Sequence, residues 1–203
     1  ERHIWYFFIP LILLGVAMLY YFDQLKHTSS TATSIFFAMV GMVMVLRAFA
    51  EKKNVRLAWW LIAFNHGFIA LAVSFNEHFT YSHVLLYLSG VVASALAGHY
   101  VISLLKKQEG NVHLHFFQGH VYEHKGLALA FLLCGLAISG FPITPSFVGE
   151  DLIFSHIHEN QWFLATCVSI SFIVDGLAMI RIYSRIFLGP HAKTYHEIAY
   201  RSS

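Results

Sequence analysis

Glu150 and Asp151 stand side by side in a stretch that is otherwise apolar, GLALAFLLCGLAISGFPITPSFVGEDLIF over residues 126–154, and Asp175 stands between Val174 and Gly176 in a second such stretch. An ionisable group in apolar surroundings of membrane depth marks an ion or proton site by default. Adjacent residues on a helix point about 100° apart, so Glu150 and Asp151 cannot both face one partner, and one of them is expected to line a path. For Glu150 the alternative is a structural ion pair, and for Asp175 a hydrogen bond to the backbone of a neighbouring helix.

Two prolines, Pro142 and Pro145, precede the acidic pair. Each removes a backbone donor and disfavours helix at the residue before it, so the stretch reads as one helix ending near Gly140 and another starting at Pro145. Thr144 is expected at the N-cap, with Pro145 in the favoured first position, which puts Glu150 about one and a half turns into the second helix. Non-helical backbone at membrane depth is tolerated only where protein or a wet cavity satisfies it. The break and the carboxylate therefore point together to ion or proton handling.

Histidine titrates near physiological pH, and His66, His83 and His99 lie in or beside apolar runs, so His66 and His99 are secondary relay candidates beside Asp175. The loop NVHLHFFQGHVYEHKG adds His113, His115, His120 and His124. His120 and His124 would share a face if the loop were helical, which is half of a metal site; lacking a fixed carboxylate partner, the loop is expected to bind no metal tightly. Histidines at different depths cannot sandwich one haem, so no cofactor is expected. Lys52 and Lys53 are possible partners that tune the carboxylate. Cys134 and Cys167 sit inside apolar runs as small hydrophobes, without a disulfide framework.

The elements that must position these groups are membrane spans. Of 203 residues 57% are hydrophobic and 12% charged, whereas soluble domains carry about 25% charged residues. Apolar runs at 4–22, 33–50, 57–75, 84–105, 126–154 and 161–188 each approach or exceed the roughly 20 residues a bilayer requires. The fold class is all-α and integral membrane, a single transmembrane domain over 1–203 with about six helices, the fifth broken between Pro142 and Pro145. Trp5, Tyr6, Tyr20, Tyr21, Trp59, Trp60 and Trp162 fall near span ends and are expected to anchor at the interface. Lys52, Lys53, Lys106, Lys125, Arg181, Arg185, Lys193 and Arg201 fall in alternate connections, whereas the other connections carry little beyond Lys26. The positive-inside rule then puts both termini and the 113–125 loop in the cytoplasm or its organellar equivalent, with the loops at Asn76 and Gly119 on opposite sides. A net charge of +2 without a basic run gives no footprint for nucleic acid. The chain opens on Glu1, not Met, with no cleavable signal after it, as expected of a fragment or processed product.

From about Ser34 to Pro190 the sequence resembles the second half of the antiporter-like, proton-translocating membrane subunits of respiratory complex I, its hydrogenase relatives and the multisubunit sodium/proton antiporters. AFAEKKNVRLAWWLIAFNHGF looks like the family's basic loop and polar-faced helix, YLSGVVASALAGHYV like the small-residue helix that follows, and QGHVYEHKGLALAFLLCGLAISGFPITPSFVGE like the helix leading into its broken helix. The most specific piece is FVGE: in one branch of the family a Glu stands there, where it is held to end the proton path, and Glu150 matches it. RIYSRIFLGP is similar to the family's closing segment. The family's lysine at the head of the polar helix falls on Val55, and its central histidine or lysine on Ser89 or Ser94. The resemblance implies a subunit that conducts protons or sodium within a larger membrane complex, with other membrane subunits and lipid as partners and no bond chemistry of its own. The alternatives are a non-conducting docking subunit and, less favoured, a membrane metalloenzyme built on the histidine loop.

Overall fold

The computed structural model describes residues 2–21, 30–76 and 80–190. Among them every regular element is helical: α1 (Arg2–Tyr21), α2 (Ser30–Ala50), α3 (Val55–Ser74), α4 (Tyr81–Glu109), α5 (Lys125–Ile138), α6 (Pro145–Ser155) and α7 (Trp162–Phe187), with a single 3-10 turn at His120–Tyr122. Within α2, α3, α4 and α7 lie the four described segments long and apolar enough to cross a membrane, Thr31–Ala50, Val55–Ser74, Tyr81–Glu109 and Trp162–Phe187. The chain is thus an integral membrane protein, and all the regular structure of its described residues is helical. The expected fifth run is two separate helices, neither of which reaches that length. Lys26, Lys193, Arg201 and the termini, on which the reading of orientation partly rests, lie outside the described residues, as do the side chains of Trp5 and Tyr21.

A helix that is hydrophobic on all sides belongs inside a bundle. That helix is α3, buried almost continuously from Val55 to Ser74. Around it α2, α4 and α7 turn one side inward and leave Val43, Leu46, Leu85, Leu96, Ile173 and Ile180 exposed on the other, as lipid-facing surfaces require. Trp59, expected at the interface, is instead fully buried. Its indole N–H donates to Ala95 O at 2.8 Å, and its ring centroid lies 5.0 Å from that of Phe131. A buried indole is stable only with such a partner, and the backbone of α4 supplies it.

The turn into α3 is built around Glu51. One carboxylate oxygen accepts from the backbone N–H groups of Lys52, Lys53 and Asn54 at 3.1, 2.9 and 3.2 Å, and the other meets Arg47 Nη2 at 2.6 Å. Burial pushes this carboxyl up, but the backbone donors and the Arg47 guanidinium outweigh burial and hold it below the ordinary carboxylate value. Asn54 then caps α3, accepting from Leu57 N at 3.2 Å.

Against α4, α5 and α6 run end to end in the opposite direction. His124, before α5, meets Glu109 at the end of α4 at 2.5 Å. Further along, a side chain at Gly90 would meet Ser146 and Pro145, one at Gly149 would meet Tyr87, and His83 faces His156 across 3.1 Å. Successively later residues of α5 and α6 thus pair with successively earlier residues of α4.

Loops join at both ends of the bundle. At one, Leu114 N donates to Lys52 O at 2.9 Å, Gln118 N to Arg185 O at 2.9 Å and Gly119 N to Leu188 O at 3.1 Å. At the other, the Asn76 amide donates to His156 O and Gln161 Oε1, both at 2.8 Å, and accepts from Gln161 Nε2 at 2.9 Å. Every Lys and Arg from Arg47 to Arg185 belongs to the first end. With Cys134 and Cys167 replaced by Ala, cysteines at the exposed positions His115 and Glu159 are expected to react with a membrane-impermeant maleimide from opposite faces of sealed vesicles; reaction of both from one face contradicts this arrangement.

Candidate functional site

The six residues between α5 and α6 (139–144) decide where Glu150 sits. Gly140 has φ 68°, and Phe141 N bonds back to Leu136 O at 2.9 Å, so α5 ends in a Schellman turn. A second freed carbonyl, Ala137 O, accepts the hydroxyl of Ser146. Thr144 holds the N-cap position with extended backbone and Pro145 follows it, as the sequence predicts. Its hydroxyl does not cap α6, however: it donates to Phe141 O at 2.7 Å and lies 3.0 Å from Ser146 Oγ. The break is therefore closed by its own hydroxyls and backbone.

Gly140 serves a second purpose. A Cβ there would lie 2.5 Å from Glu150 Oε1 and Cδ and closer still to Oε2. The Glu150 carboxylate thus occupies the space that a side chain at 140 would fill, against the broken backbone. Asp151 is exposed on the other side of α6, so Glu150 is the member of the pair that turns inward. Gly149 lets α6 approach Tyr87 closely, since a Cβ on it would stand 2.5 Å from the Tyr87 Cα.

Beside Glu150 the bundle buries three more polar side chains from three helices. His66 of α3, Tyr87 of α4 and Asp175 of α7 are at most 1% exposed. His66 Nδ1 lies 2.6 Å from the Tyr87 hydroxyl, and its Nε2 lies 3.6 Å from Asp175 Oδ1. Gly149, just before Glu150, packs against Tyr87, and Phe154, one turn after it, lies with its ring centroid 5.6 Å from that of Phe172 in α7, which sets Glu150 at the level of this group. The Phe172 ring covers the group, its centroid 5.9 Å from that of His66 and 6.4 Å from that of Tyr87. Several polar atoms here have no hydrogen-bond partner among the described residues: Glu150 Oε1, His66 Nε2, both Asp175 oxygens and Ser171 Oγ one turn before Asp175. An unsatisfied buried polar atom costs about 1–3 kcal/mol, so a set of them in one place is unusual for a purely structural core.

Of the residues singled out from the sequence, the structure brings Glu150, His66 and Asp175 together. His99 lies elsewhere, half-buried, accepting from Trp60 Nε1 at 3.1 Å. Lys52 and Lys53 are exposed in the turn before α3, and His66 lies roughly 16 Å along the axis from Val55 at 1.5 Å per residue, so neither lysine stands beside Glu150. Tyr87 was not among the candidates. Its signal lies in α4, where Tyr87, Gly90, Ser94 and Gly98 recur on one face with the spacing of a close-packing stripe. At the basic end, Glu109, His120 and Glu123 place one potential metal-ligand atom each within 4.8 Å of one another.

These features define a class, a polytopic helical membrane protein. Over 154 residues the chain is 27% identical to NADH-quinone oxidoreductase subunit N of Brevibacillus brevis, an alignment that takes in 75% of this chain and 29% of that protein. The chain thus spans less than a third of the length of the curated relative it matches. No family profile matches the chain.

Gly140→Ala is expected to lower the thermal midpoint in detergent, since it forces a side chain into left-handed backbone at about 1–2 kcal/mol and displaces Glu150 as well. Gly126→Ala, where a Cβ meets nothing within 4 Å, is the control. Equal midpoints for the two variants contradict the placement of Glu150.

Proposed function

We propose that this chain is the second half of an antiporter-like subunit, working in a membrane complex of the NADH-quinone oxidoreductase type, and that Glu150, His66, Tyr87 and Asp175 carry protons through it. The observation that carries this reading is the convergence of the four side chains from α3, α4, α6 and α7 beside the break. An imidazole can accept a proton at one nitrogen while it releases one from the other. His66 has a proton-handling group at each nitrogen, Tyr87 at Nδ1 and Asp175 at Nε2. The 3.6 Å gap to Asp175 exceeds a hydrogen bond and suits an intervening water or a small closure when the proton passes. Glu150 is the group at which the path meets the break, where α5 and α6 together make one discontinuous span. The similarity to subunit N supports the placement in such a complex, and the basic end faces the cytoplasm or its equivalent. Protons are the carried ion in this reading; a sodium path would use the same carboxylates.

The scaffold reading draws on a different observation. Val55, buried at the head of α3, stands where the resemblance places a lysine, and Lys52 and Lys53 are exposed. A conducting chain must then work without that cation. Glu150→Gln keeps the shape and removes the titratable group. In sealed vesicles it is expected to abolish coupled proton movement by the assembled complex at wild-type levels of assembly. Unchanged pumping places the chain among the non-conducting subunits.

A further inference from the structure

Arg181 lies inside the last span, six residues before the end of α7, on the side that α2 borders. Its side chain makes no hydrogen bond or ion pair with any described residue, and Nη1 is buried without a partner. The contact it does make is with the Phe49 ring near the end of α2, whose centroid lies 5.7 Å from the guanidinium carbon. An ionisable group in a span marks a functional site by default, and its partner is the question it poses. An arginine that merely snorkels keeps its head in water, whereas this one holds a donor away from solvent with no acceptor. Glu51, at the end of α2, does not answer it: both of its oxygens are committed, one to three backbone N–H groups and the other to Arg47.

The surface that leads to this guanidinium is apolar on both helices. On α2, Val43 and Leu46 are exposed and Arg47 follows one turn after Val43; on α7, Ile173, Leu177 and Ile180 are exposed and Arg181 follows one turn after Leu177. Each lipid-facing stripe thus ends in an arginine at the basic end of the bundle, and the Phe49 contact joins the two helices there. Arg47 spends one Nη on Glu51 and keeps about half of its side chain exposed. Two guanidinium groups against one carboxylate leave a positive charge uncompensated, and guanidinium donors match phosphate oxygens in pairs. A free anion has no use for the stripes. They fit the acyl chains of a molecule whose anionic head sits at their end, as basic pockets between membrane helices hold lipid head groups.

We infer that the groove between α2 and α7 at the basic end binds one anionic phospholipid, its phosphate on Arg181 and Arg47 and its acyl chains along the stripes that end in them. The lipid supplies the acceptor that Arg181 does not find among the described residues, and it ties α2 to α7. The site is independent of the proton path at Glu150.

The test is native mass spectrometry of the full chain in detergent, titrated with phosphatidylglycerol or with phosphatidylcholine of the same acyl chains. We expect one phosphatidylglycerol per chain, retained about tenfold more tightly than phosphatidylcholine, and a preference of less than about threefold in Arg181→Gln. Arg47→Gln, at a half-exposed position, is expected to lose preference in the same direction and decides the matter if Arg181→Gln does not fold. Lys107→Gln, at the basic end but on α4, is expected to keep the wild-type preference. Inorganic phosphate in large excess is expected to leave the bound lipid in place. Equal retention of the two lipids by the wild type, an unchanged preference in the arginine variants, or displacement by inorganic phosphate overturns the site.

Discussion

The structure depends on how a broken helix is reconciled with apolar surroundings. Pro142 and Pro145 prevent α5 from continuing, and every backbone group this frees must find a partner, because neither lipid nor a packed core supplies one. The partners are local: Phe141 N returns to Leu136 O, Ser146 bonds Ala137 O, and Thr144 bonds Phe141 O. Gly140, in left-handed conformation to complete that turn, leaves a space that the Glu150 carboxylate fills. The same residue thus ends the helix and admits the charge.

The rest of the bundle brings other helices to that point. Gly90 on α4 allows α6 to pack closely, Gly98 makes room for Trp59 of α3, and Gly149 against Tyr87 sets the depth of Glu150 relative to α4. Being buried on nearly all sides, α3 can offer His66 to α4 and α7 at once. The turn at Glu51 and the Asn76–Gln161 amide pair join the helices at opposite ends. Between these joints His66 and Asp175 stand 3.6 Å apart, just beyond direct hydrogen bonding.

The break was legible in the sequence because proline and glycine act locally, and the end of one helix and the start of the next at Pro145 follow from two residues each. Asp175 and Glu150 were legible as charges out of place. What brings them together was not, since that depends on which faces of α3, α4 and α7 turn inward, and helices apolar all round carry a weak facing signal. Tyr87 was missed for that reason, and Trp59 was misplaced at the interface because its position near a span end outweighed any sign that α4 would offer Ala95 O. Lys52 and Lys53 looked like partners for Glu150 by sequence type alone, but the capping turn at Glu51 holds their segment at the end of the bundle.

The central claim is that Glu150 exchanges protons in concert with His66. The most direct measurement is a pH-difference infrared spectrum of the chain in lipid, with the Glu150 carboxylic C=O stretch identified by its loss in Glu150→Gln. The account predicts that this band titrates and that its titration moves when His66 is replaced by Gln. A Glu150 band that does not titrate, or one indifferent to His66→Gln, would contradict it.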